Sequence, residues 1–387
     1  MKKLILRIAS YALVAALAGS AALVAERAFC DHKLSELEGL LVERYIGETD
    51  RKTLTDAAAR EMVNALDDRW SHYMTAEEYE IYQDTMSNSY VGVGITIEQR
   101  EDGQGLNITE VTDGGPAQTA GVLAGDRLVK VEGQSIFDMT INDVAAMVRG
   151  QEGTSVKLTV LRGTEELTLT VQRKRMESVV ATGVMLEEGI GLVTIANFDS
   201  RCAQETIAVI EDLRRQGATA LIFDVRNNPG GYKSELVKLL DYLLPEGPLF
   251  RSQDYRGVET VDESDASCLD MPMAVLVNLH SYSASEFFAA ALSEYEAATV
   301  IGEKTYGKGY FQNTFELEDG SAVTLSIGKY CTPKGVTLAG VGLTPDVEIP
   351  VDEETAVKIA SGLLEPQEDP HIQAAVNVLI QVLDKTV

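Results

Sequence analysis

From about residue 190 onward, two hydrophobic patterns alternate along the chain. Near-continuous apolar runs such as "GLVTIANF", "ALIFDVR" and "MAVLVNL" are each followed by a run in which apolar residues recur three and four apart. The first pattern is typical of strands buried on both faces, and the second of amphipathic helices. Their alternation predicts an α/β domain with a mostly parallel sheet, in which ligands bind at the carboxyl ends of the strands.

Two differently patterned segments precede this domain. Residues 34–88 show helical spacing and a capping box at Thr75 and Glu78, which predicts short helices that cannot form a large core alone. From Tyr90, alternation and turn glycines in "YVGVGITIEQ", "LNITEV" and "SVKLTVLR" predict a compact β-rich module with two short helices. Helical spacing returns after Pro350, in a tail that either packs on the N-terminal helices or forms an interface. The chain is thus predicted to be a multidomain α/β protein with helical terminal segments.

The N-terminus has the pattern of an export segment. Three basic residues in "MKKLILR" precede Ile8–Ala25, 18 uncharged residues that as a helix would span roughly 27 Å, about one bilayer core. Residues 1–30 are therefore predicted to be a signal peptide or a membrane anchor of a bacterial protein that acts outside the cytoplasm. With 60 acidic against 33 basic residues, a net charge of -27, the surface should repel phosphate backbones, which argues against nucleic acid as a partner.

Three serines stand two residues apart in "NLHSYSASEFFAAAL", just before an apolar helix. Ser283, with Glu286 three residues later, matches a capping box, so helix capping by itself accounts for a serine there. A nucleophilic role requires a base nearby. His280 is the nearest of the four histidines in the sequence, and we expect it to face away from Ser283. The other histidines are His32, His72 and His371.

A lysine offers another base. Lys308 stands between Gly307 and Gly309 in "GEKTYGKGYFQ", and Gln312 follows on the same face of an extended segment. A lysine held between backbones and away from water loses its proton more easily, so its neutral amine can accept a serine proton. The alternative interpretation is a solvated lysine on a surface hairpin.

The turn in "DVRNNPGG" is a third candidate element. Gly230 and Gly231 leave backbone N–H groups unobstructed just before a helix, an arrangement that suits a developing oxyanion. Asn, Pro and Gly are also common turn formers, so a purely structural turn is the alternative. The sequence contains no zinc-binding helix, P-loop, nucleophile elbow or metal-type cysteine spacing, and we expect no metal or cofactor.

In their order along the chain, "RNNPGG", "VNLHSYSASE", "GEKTYGKGYFQ" and "GVGLTPDVEIP" resemble the carboxyl-terminal processing proteases, serine peptidases with a Ser-Lys dyad. The resemblance runs from about Leu34 to Pro350 and therefore covers most of the chain. It implies that Ser283 is the nucleophile, Lys308 the base and Gln312 the residue that orients the lysine. The oxyanion hole implied by the resemblance combines the N–H of Ala284 with one N–H of the pair Gly230 and Gly231.

The same resemblance implies that the β-rich module is a PDZ domain. Its "YVGVGI" loop matches the carboxylate-binding loop, whose N–H groups would hold a terminal carboxylate while the peptide adds a strand. The residues implied in this contact are Gly92, Val93, Gly94 and Ile95. The alternative is a tight, glycine-rich strand entry without a ligand.

The predicted organisation has five parts: the export segment 1–30, a helical segment 31–88, a PDZ domain 89–175, an S41-type serine protease core 176–350 and a helical tail 351–387. The predicted function is serine endopeptidase activity on proteins or peptides with free, apolar C-termini, and homo-oligomer formation is left open. Tyr282 and His280 depart from the family pattern, which has a small residue and a Lys or Arg there, and they bear on substrate preference. The rival hypothesis is a non-catalytic PDZ adaptor on a protease-like scaffold.

Overall fold

The computed structural model of the protein describes residues 32–100 and 102–386. The predicted export segment, residues 1–30, lies outside the described residues. Within the described ranges, no helix is both long enough and apolar enough to span a membrane.

The chain divides into two compact units, and the described part of the first comprises residues 32–76 and 314–325. It contains helix α1 (residues 32–44), helix α2 (Arg51–Asn64) and strand β1 (His72–Met74). Asp50 begins α2 as its N-cap, because its side chain accepts the Thr53 N–H at 2.9 Å. Strand β1 pairs antiparallel with residues 322–324. The short helices expected near the N-terminus are present, and α2 has no buried residue.

The second unit comprises residues 77–313 and 326–387. Its first helix begins at Ala76, one residue before the start of the unit. The helices are α3 (Ala76–Met86), α4 (Pro116–Thr119), α5 (Ile141–Val148), α6 (Cys202–Arg215), α7 (Lys233–Leu243), α8 (Ala284–Glu294), α9 (Glu353–Ala360) and α10 (Pro370–Thr386). Its strands, of which the two that form the long hairpin before β19 extend into the first unit, are β2 (Ser89–Gly92), β3 (Ile95–Gln99), β4 (Leu106–Val111), β5 (Arg127–Val131), β6 (Gln134–Ser135), β7 (Ser155–Arg162), β8 (Glu165–Gln172), β9 (Lys174–Glu177), β10 (Ala181–Met185), β11 (Ile190–Ile195), β12 (Ala220–Asp224), β13 (Gly247–Asp254), β14 (Glu259–Ser264), β15 (Met273–Val277), β16 (Ala298–Gly302), β17 (Tyr310–Glu316), β18 (Ala322–Cys331) and β19 (Val347–Glu348).

The β-rich module is an antiparallel sheet in the order β3-β4-β5-β7-β8, with β6 paired to β5. The strands predicted at residues 106–111 and 155–162 are confirmed as β4 and β7 with the same bounds. The run at residues 90–99 is divided into β2 and β3 by a turn at Gly94, whose φ is +73°. Strand β3 ends the sheet order and lies beside α5, so this edge has the geometry that accepts an additional strand.

The α/β part is a six-stranded sheet in the order β10-β11-β12-β15-β16-β19, parallel except for β10. Alternate side chains enter two cores, since Phe223 packs with α6, α7 and α8 while its neighbour Ile222 packs with α10. The C-terminal tail therefore covers one face of the sheet through Ile372 and Leu379. The strand-helix alternation predicted from the apolar runs is confirmed.

The hairpin β13–β14 was not predicted from the sequence. Its two strands pair antiparallel with each other. Residues 251–254 of β13 also pair antiparallel with residues 328–331 of β18. Strand β14, "ETVDES", is mostly exposed, and its polar composition lacks the apolar alternation that reveals a strand. This small sheet carries Phe250 and Tyr330, whose rings meet at 5.5 Å in the core above α8.

A buried ion network attaches α10 to the sheet. The Arg226 guanidinium, after β12, donates to Asp224 at 2.6 Å and forms an ion pair with Asp369 at 2.8 Å, with Arg226 and Asp369 both under 5% exposed. Burial opposes the charge on Arg226, but the two carboxylates outweigh it and raise the guanidinium pKa above its ordinary value. Asp369 also accepts the N–H groups of His371 and Ile372 and so caps α10.

We expect Arg226→Ala to lower the free energy of unfolding by about 3–5 kcal/mol, because it leaves buried carboxylates without their cation. The control is Arg256→Ala, which removes an arginine 66% exposed from its pair with Asp254 and should change stability by less than about 1 kcal/mol. Urea unfolding monitored by circular dichroism measures both values. Equal losses in the two variants would show that the buried network does not hold the tail.

Candidate active site

Three loops meet at the carboxyl ends of the neighbouring strands β12, β15 and β16. The Tyr282 N–H donates to the carbonyl of Asn228 at 3.2 Å, and the Tyr306 N–H donates to the carbonyl of Ser281 at 3.2 Å. The turn "RNNPGG", the serine-rich turn and the lysine loop are therefore brought to one edge of the sheet. This is the location at which parallel sheets bind ligands.

The two outer serines have structural roles. The Ser281 hydroxyl donates to the carbonyl of Val225 at 2.7 Å, and the Ser285 hydroxyl donates to the carbonyl of Asn228 at 2.8 Å. Both side chains are fully buried and tie the start of α8 to the glycine turn. Ser283 Oγ instead accepts a hydrogen bond from the Tyr330 hydroxyl, at 3.2 Å. The middle serine is thus the one at the meeting point of the loops.

Ser283 adopts an unusual backbone conformation, with φ of 60° and ψ of -126°. A residue with a side chain rarely has positive φ, and such a conformation costs on the order of 1–3 kcal/mol. The strain lies at the junction between the loop after β15 and the first residue of α8. Strained positions of this kind are concentrated at functional sites, where the surrounding contacts hold them.

The carboxylate of Glu286 connects the serine turn to the lysine loop. Its Oε2 accepts the backbone N–H groups of Ser283 at 3.0 Å and Lys308 at 2.9 Å. Its Oε1 accepts the Thr305 hydroxyl at 2.5 Å and the Gly307 N–H at 2.6 Å. The side chain is fully buried, and burial raises the pKa of Glu286, whereas its four hydrogen bonds pull in the opposite direction.

Close backbone packing surrounds Lys308, which is half-buried. A Cβ on Gly307, whose φ is +90°, would lie 2.8 Å from the Gly342 nitrogen. A Cβ on Gly309 would lie 2.2 Å from the Ala339 Cβ. Both glycines are therefore required for the lysine loop to approach the segment at residues 338–342, which includes the first three residues of "GVGLTPDVEIP".

Gln312 lies on β17, four residues after Lys308. Its Nε2 donates to the carbonyl of Tyr310 at 3.1 Å and to the Ser326 hydroxyl at 3.1 Å. These two bonds fix the side-chain amide within the β17–β18 hairpin.

The glycine pair lies against the serine turn. A Cβ on Gly230, whose φ is +87°, would lie 2.7 Å from the Ser283 Cβ and 2.8 Å from the Ala284 nitrogen. A Cβ on Gly231 would lie 2.3 Å from the carbonyl carbon of Phe198. The Gly230 N–H donates to the Asn228 side chain at 2.8 Å, so this N–H already has an acceptor.

A second buried carboxyl lies next to the glycine pair. Asp199 is 7% exposed, and a Cβ on Gly231 would lie 2.6 Å from its Oδ1. Burial raises the pKa of Asp199 to about 7. Asp199, Thr305 and Tyr330 were not predicted as site residues, and Glu286 was predicted only as part of a helix cap. Only the capping-box spacing of Glu286 carried a sequence signal, because the other contacts join residues far apart in the chain.

Two of the histidines, His280 and His371, lie in the second unit. His280 is exposed, and its backbone N–H donates to the Asn278 side chain at 3.0 Å. His371 is buried, its Nδ1 accepts from Arg226 at 3.2 Å and its Nε2 donates to the carbonyl of Ile349 at 2.8 Å. His371 is thus a structural residue of the network at α10.

The predicted carboxylate-binding loop joins β2 to β3. The Val93 side chain is 2% exposed in the module core, and its carbonyl accepts the Ala117 N–H at 2.9 Å. The Gly94 carbonyl accepts the Thr112 N–H at 3.0 Å. The loop is therefore held in place by hydrogen bonds to its carbonyl groups. Ile95 and Ile97 are half-buried against the module core.

In the described part of the chain, no group of three or more His, Cys, Asp or Glu side chains is arranged to hold a metal ion.

Two family models match parts of the chain. The model of peptidase family S41 matches residues 189–349, and the PDZ domain model matches residues 108–162. The first range contains the serine turn, the lysine loop and the glycine turn. The second lies within the β-rich module.

A relative and two solved structures extend the comparison. The "Probable CtpA-like serine protease" of Staphylococcus aureus (strain N315) is 33% identical over 322 residues, which cover 82% of this chain and 64% of the relative. The chain thus spans less than two-thirds of that protein. A solved photosystem II D1 C-terminal processing protease is 28% identical with a TM-score of 0.49, covering 82% of this chain and 88% of that one.

A solved structure described as an S41 protease of Bacteroides fragilis is 16% identical with a TM-score of 0.50, and covers 87% of this chain and 93% of that one. This likeness concerns the fold. These findings show a peptidase family S41 domain at residues 189–349, preceded by a PDZ domain match at residues 108–162.

Proposed function

We propose that the protein is a serine endopeptidase in which Ser283 is the nucleophile and Lys308 the general base. The observation that carries the proposal is the Glu286 carboxylate, whose Oε2 binds the N–H groups of Ser283 at 3.0 Å and Lys308 at 2.9 Å. One buried atom thereby holds the backbones of both residues in a fixed relation. A nucleophile and its base need such preorganisation to act together.

In the proposed reaction, the neutral Lys308 amine takes the Ser283 hydroxyl proton as Oγ bonds to the substrate carbonyl carbon. The carbonyl electron pair moves onto its oxygen and returns as the C–N bond breaks, and Lys308 gives the proton to the leaving amine. Water then attacks the acyl-enzyme, with Lys308 again accepting and returning the proton. No metal or cofactor takes part in the proposal.

The proposed oxyanion hole uses the N–H of Ala284, at the first turn of α8, and the N–H of Gly231. Helix N-termini favour negative charge, and Ala284 directly follows the nucleophile. Gly231 is favoured over Gly230, because the Gly230 N–H already donates to Asn228 at 2.8 Å. Gln312 is proposed to orient Lys308 through its Oε1, since its Nε2 is held by Tyr310 and Ser326.

The PDZ module is proposed to select substrates by their free C-termini. Strand β3 is an edge strand beside α5, which allows a peptide to add as a further strand. The N–H groups around Gly92, Val93, Gly94 and Ile95 would bind the terminal carboxylate, and half-buried Ile95 and Ile97 offer an apolar contact. The predicted boundaries, 89–175 for the PDZ domain and 176–350 for the peptidase core, and the action outside the cytoplasm belong to the same proposal.

Ser283→Ala and Lys308→Ala should each reduce cleavage of unfolded casein by more than about a thousandfold, because a nucleophile and its base fail as a unit. The matched control is Lys304→Ala, which removes an exposed lysine from the same loop and should retain nearly full activity. His280→Ala should also remain active. Turnover by Lys308→Ala, or an equal loss in His280→Ala, would contradict the dyad, and an inactive wild-type protein would support the adaptor alternative.

Glu286→Gln should lower the cleavage rate by about 10- to 100-fold while the protein stays folded, because an amide nitrogen cannot accept the N–H groups that the carboxylate binds. Glu294→Gln is the matched control, at the other end of α8. Its carboxylate also accepts a threonine hydroxyl, Thr332 at 2.5 Å, and a lysine N–H, Lys334 at 2.7 Å. Initial rates on casein measure both, and equal rates would remove Glu286 from the proposal.

A substrate ending in Ala-Ala should be bound more tightly than its C-terminally amidated form by about 1.5–3 kcal/mol, the range for hydrogen bonds to a charged group. An Asp-Asp ending should also be disfavoured, because Ile95 and Ile97 offer an apolar contact. Cleavage of one unfolded protein with the three endings measures the preference at subsaturating concentration. Equal rates for the three substrates would show that the module does not read the C-terminus.

A further inference from the structure

Tyr330 reaches the proposed nucleophile from a different element of the fold. Its hydroxyl donates to Ser283 Oγ at 3.2 Å, and its side chain is 4% exposed. Its backbone N–H donates to the carbonyl of Gly309, the residue after Lys308, at 3.3 Å. A single residue of β18 therefore contacts the nucleophile and the lysine loop.

Aromatic packing fixes the position of the Tyr330 ring. The Phe287 ring of α8 meets it edge-on, with the two ring centroids 4.4 Å apart. The centroid of the Phe250 ring of β13 lies 5.5 Å from that of Tyr330. Phe311 of β17 stacks on it at 6.3 Å with an angle of 17° between the ring planes. Packing on three sides leaves the ring little freedom, so the hydroxyl is preorganised against Ser283 Oγ.

We propose that Tyr330 is a further catalytic residue, whose hydroxyl donates to Ser283 Oγ and stabilises the negative charge that develops there during proton transfer. The proposal rests on the proposed function. Because the phenol supplies the hydrogen in this contact, the hydrogen of Ser283 itself stays available for Lys308. A hydrogen bond to a charged oxygen is about twice as strong as one to a neutral oxygen, so the contact favours the reacting state.

The contact acts in both halves of the reaction. In acylation, the Ser283 proton moves to Lys308, Oγ gains negative charge and then loses it as the bond to the carbonyl carbon forms. In deacylation, the bond between the carbonyl carbon and Oγ breaks, its electron pair returns to Oγ, and Lys308 restores the proton. Tyr330 keeps its own proton throughout, consistent with the burial that raises the pKa of its hydroxyl.

Tyr330→Phe tests the proposal, since it removes the hydroxyl and keeps the ring. We expect the single-turnover rate on a fluorogenic peptide to fall by about 10- to 100-fold, which corresponds to about 1.4–2.7 kcal/mol. KM and the midpoint of the rise in rate with pH should stay unchanged, because Tyr330 is neither a binding group nor the base. The matched control is Tyr295→Phe, which removes a tyrosine hydroxyl that donates to the Pro248 carbonyl at 3.0 Å and should lose less than twofold.

A second variant separates donation from packing. Site-specific 3-fluorotyrosine at position 330 is a stronger hydrogen-bond donor with nearly the same shape, and should raise the single-turnover rate above that of the wild type. Ser283-dependent cleavage that is equal in Tyr330→Phe and Tyr295→Phe would overturn the role of Tyr330 alone. An unchanged or lower rate with 3-fluorotyrosine would also overturn it. Absence of Ser283-dependent cleavage in the wild type would overturn the proposed function, and the role of Tyr330 with it.

Discussion

The candidate site depends on one buried carboxylate. Glu286 lies in the first turn of α8 and binds both the strained serine turn and the loop that carries Lys308. An unpaired carboxylate in this position would be costly, and four donors at 2.5–3.0 Å compensate for the water it has lost. Because each donor comes from a segment that must lie in the site, the requirement to satisfy this one group also specifies where those segments go.

The rest of the site is built by close approach rather than by additional charge. Gly230 allows the glycine turn to lie against Ser283, and Gly307 and Gly309 allow the lysine loop to lie against residues 338–342. The hydroxyls of Ser281 and Ser285 donate to carbonyls of the neighbouring turn and so tie that turn to the start of α8. Ser283 is left in a conformation that costs energy locally and is held by its neighbours.

The sheet supplies the rigid support for these loops. Its two faces are covered by different helices, and α10 is held on one face by apolar packing and by the buried network around Arg226. Arg226 stands two residues after the end of β12, in the turn that also contains Asn228. The same turn is therefore anchored to the C-terminal tail through Arg226 and contacts the serine turn through the Asn228 carbonyl. Anchoring of this kind limits motion of the glycine turn, on which an oxyanion hole depends.

The sequence by itself determined the strand-helix alternation, the β-rich module and the short motifs at Ser283, Lys308 and the glycine pair, because periodicity and turn chemistry are local properties. Local patterns could not show that Ser281 and Ser285 have structural roles, since their hydroxyls donate to carbonyls 56 and 57 positions away in the chain. The β13–β14 hairpin carried no apolar alternation, and Tyr330, on the strand that pairs with it, resembled any other strand tyrosine. Only the tertiary structure brought that hydroxyl to Ser283 and gave Glu286 partners on two loops, because hydrogen bonding and burial are decided by segments that are distant in sequence and adjacent in space.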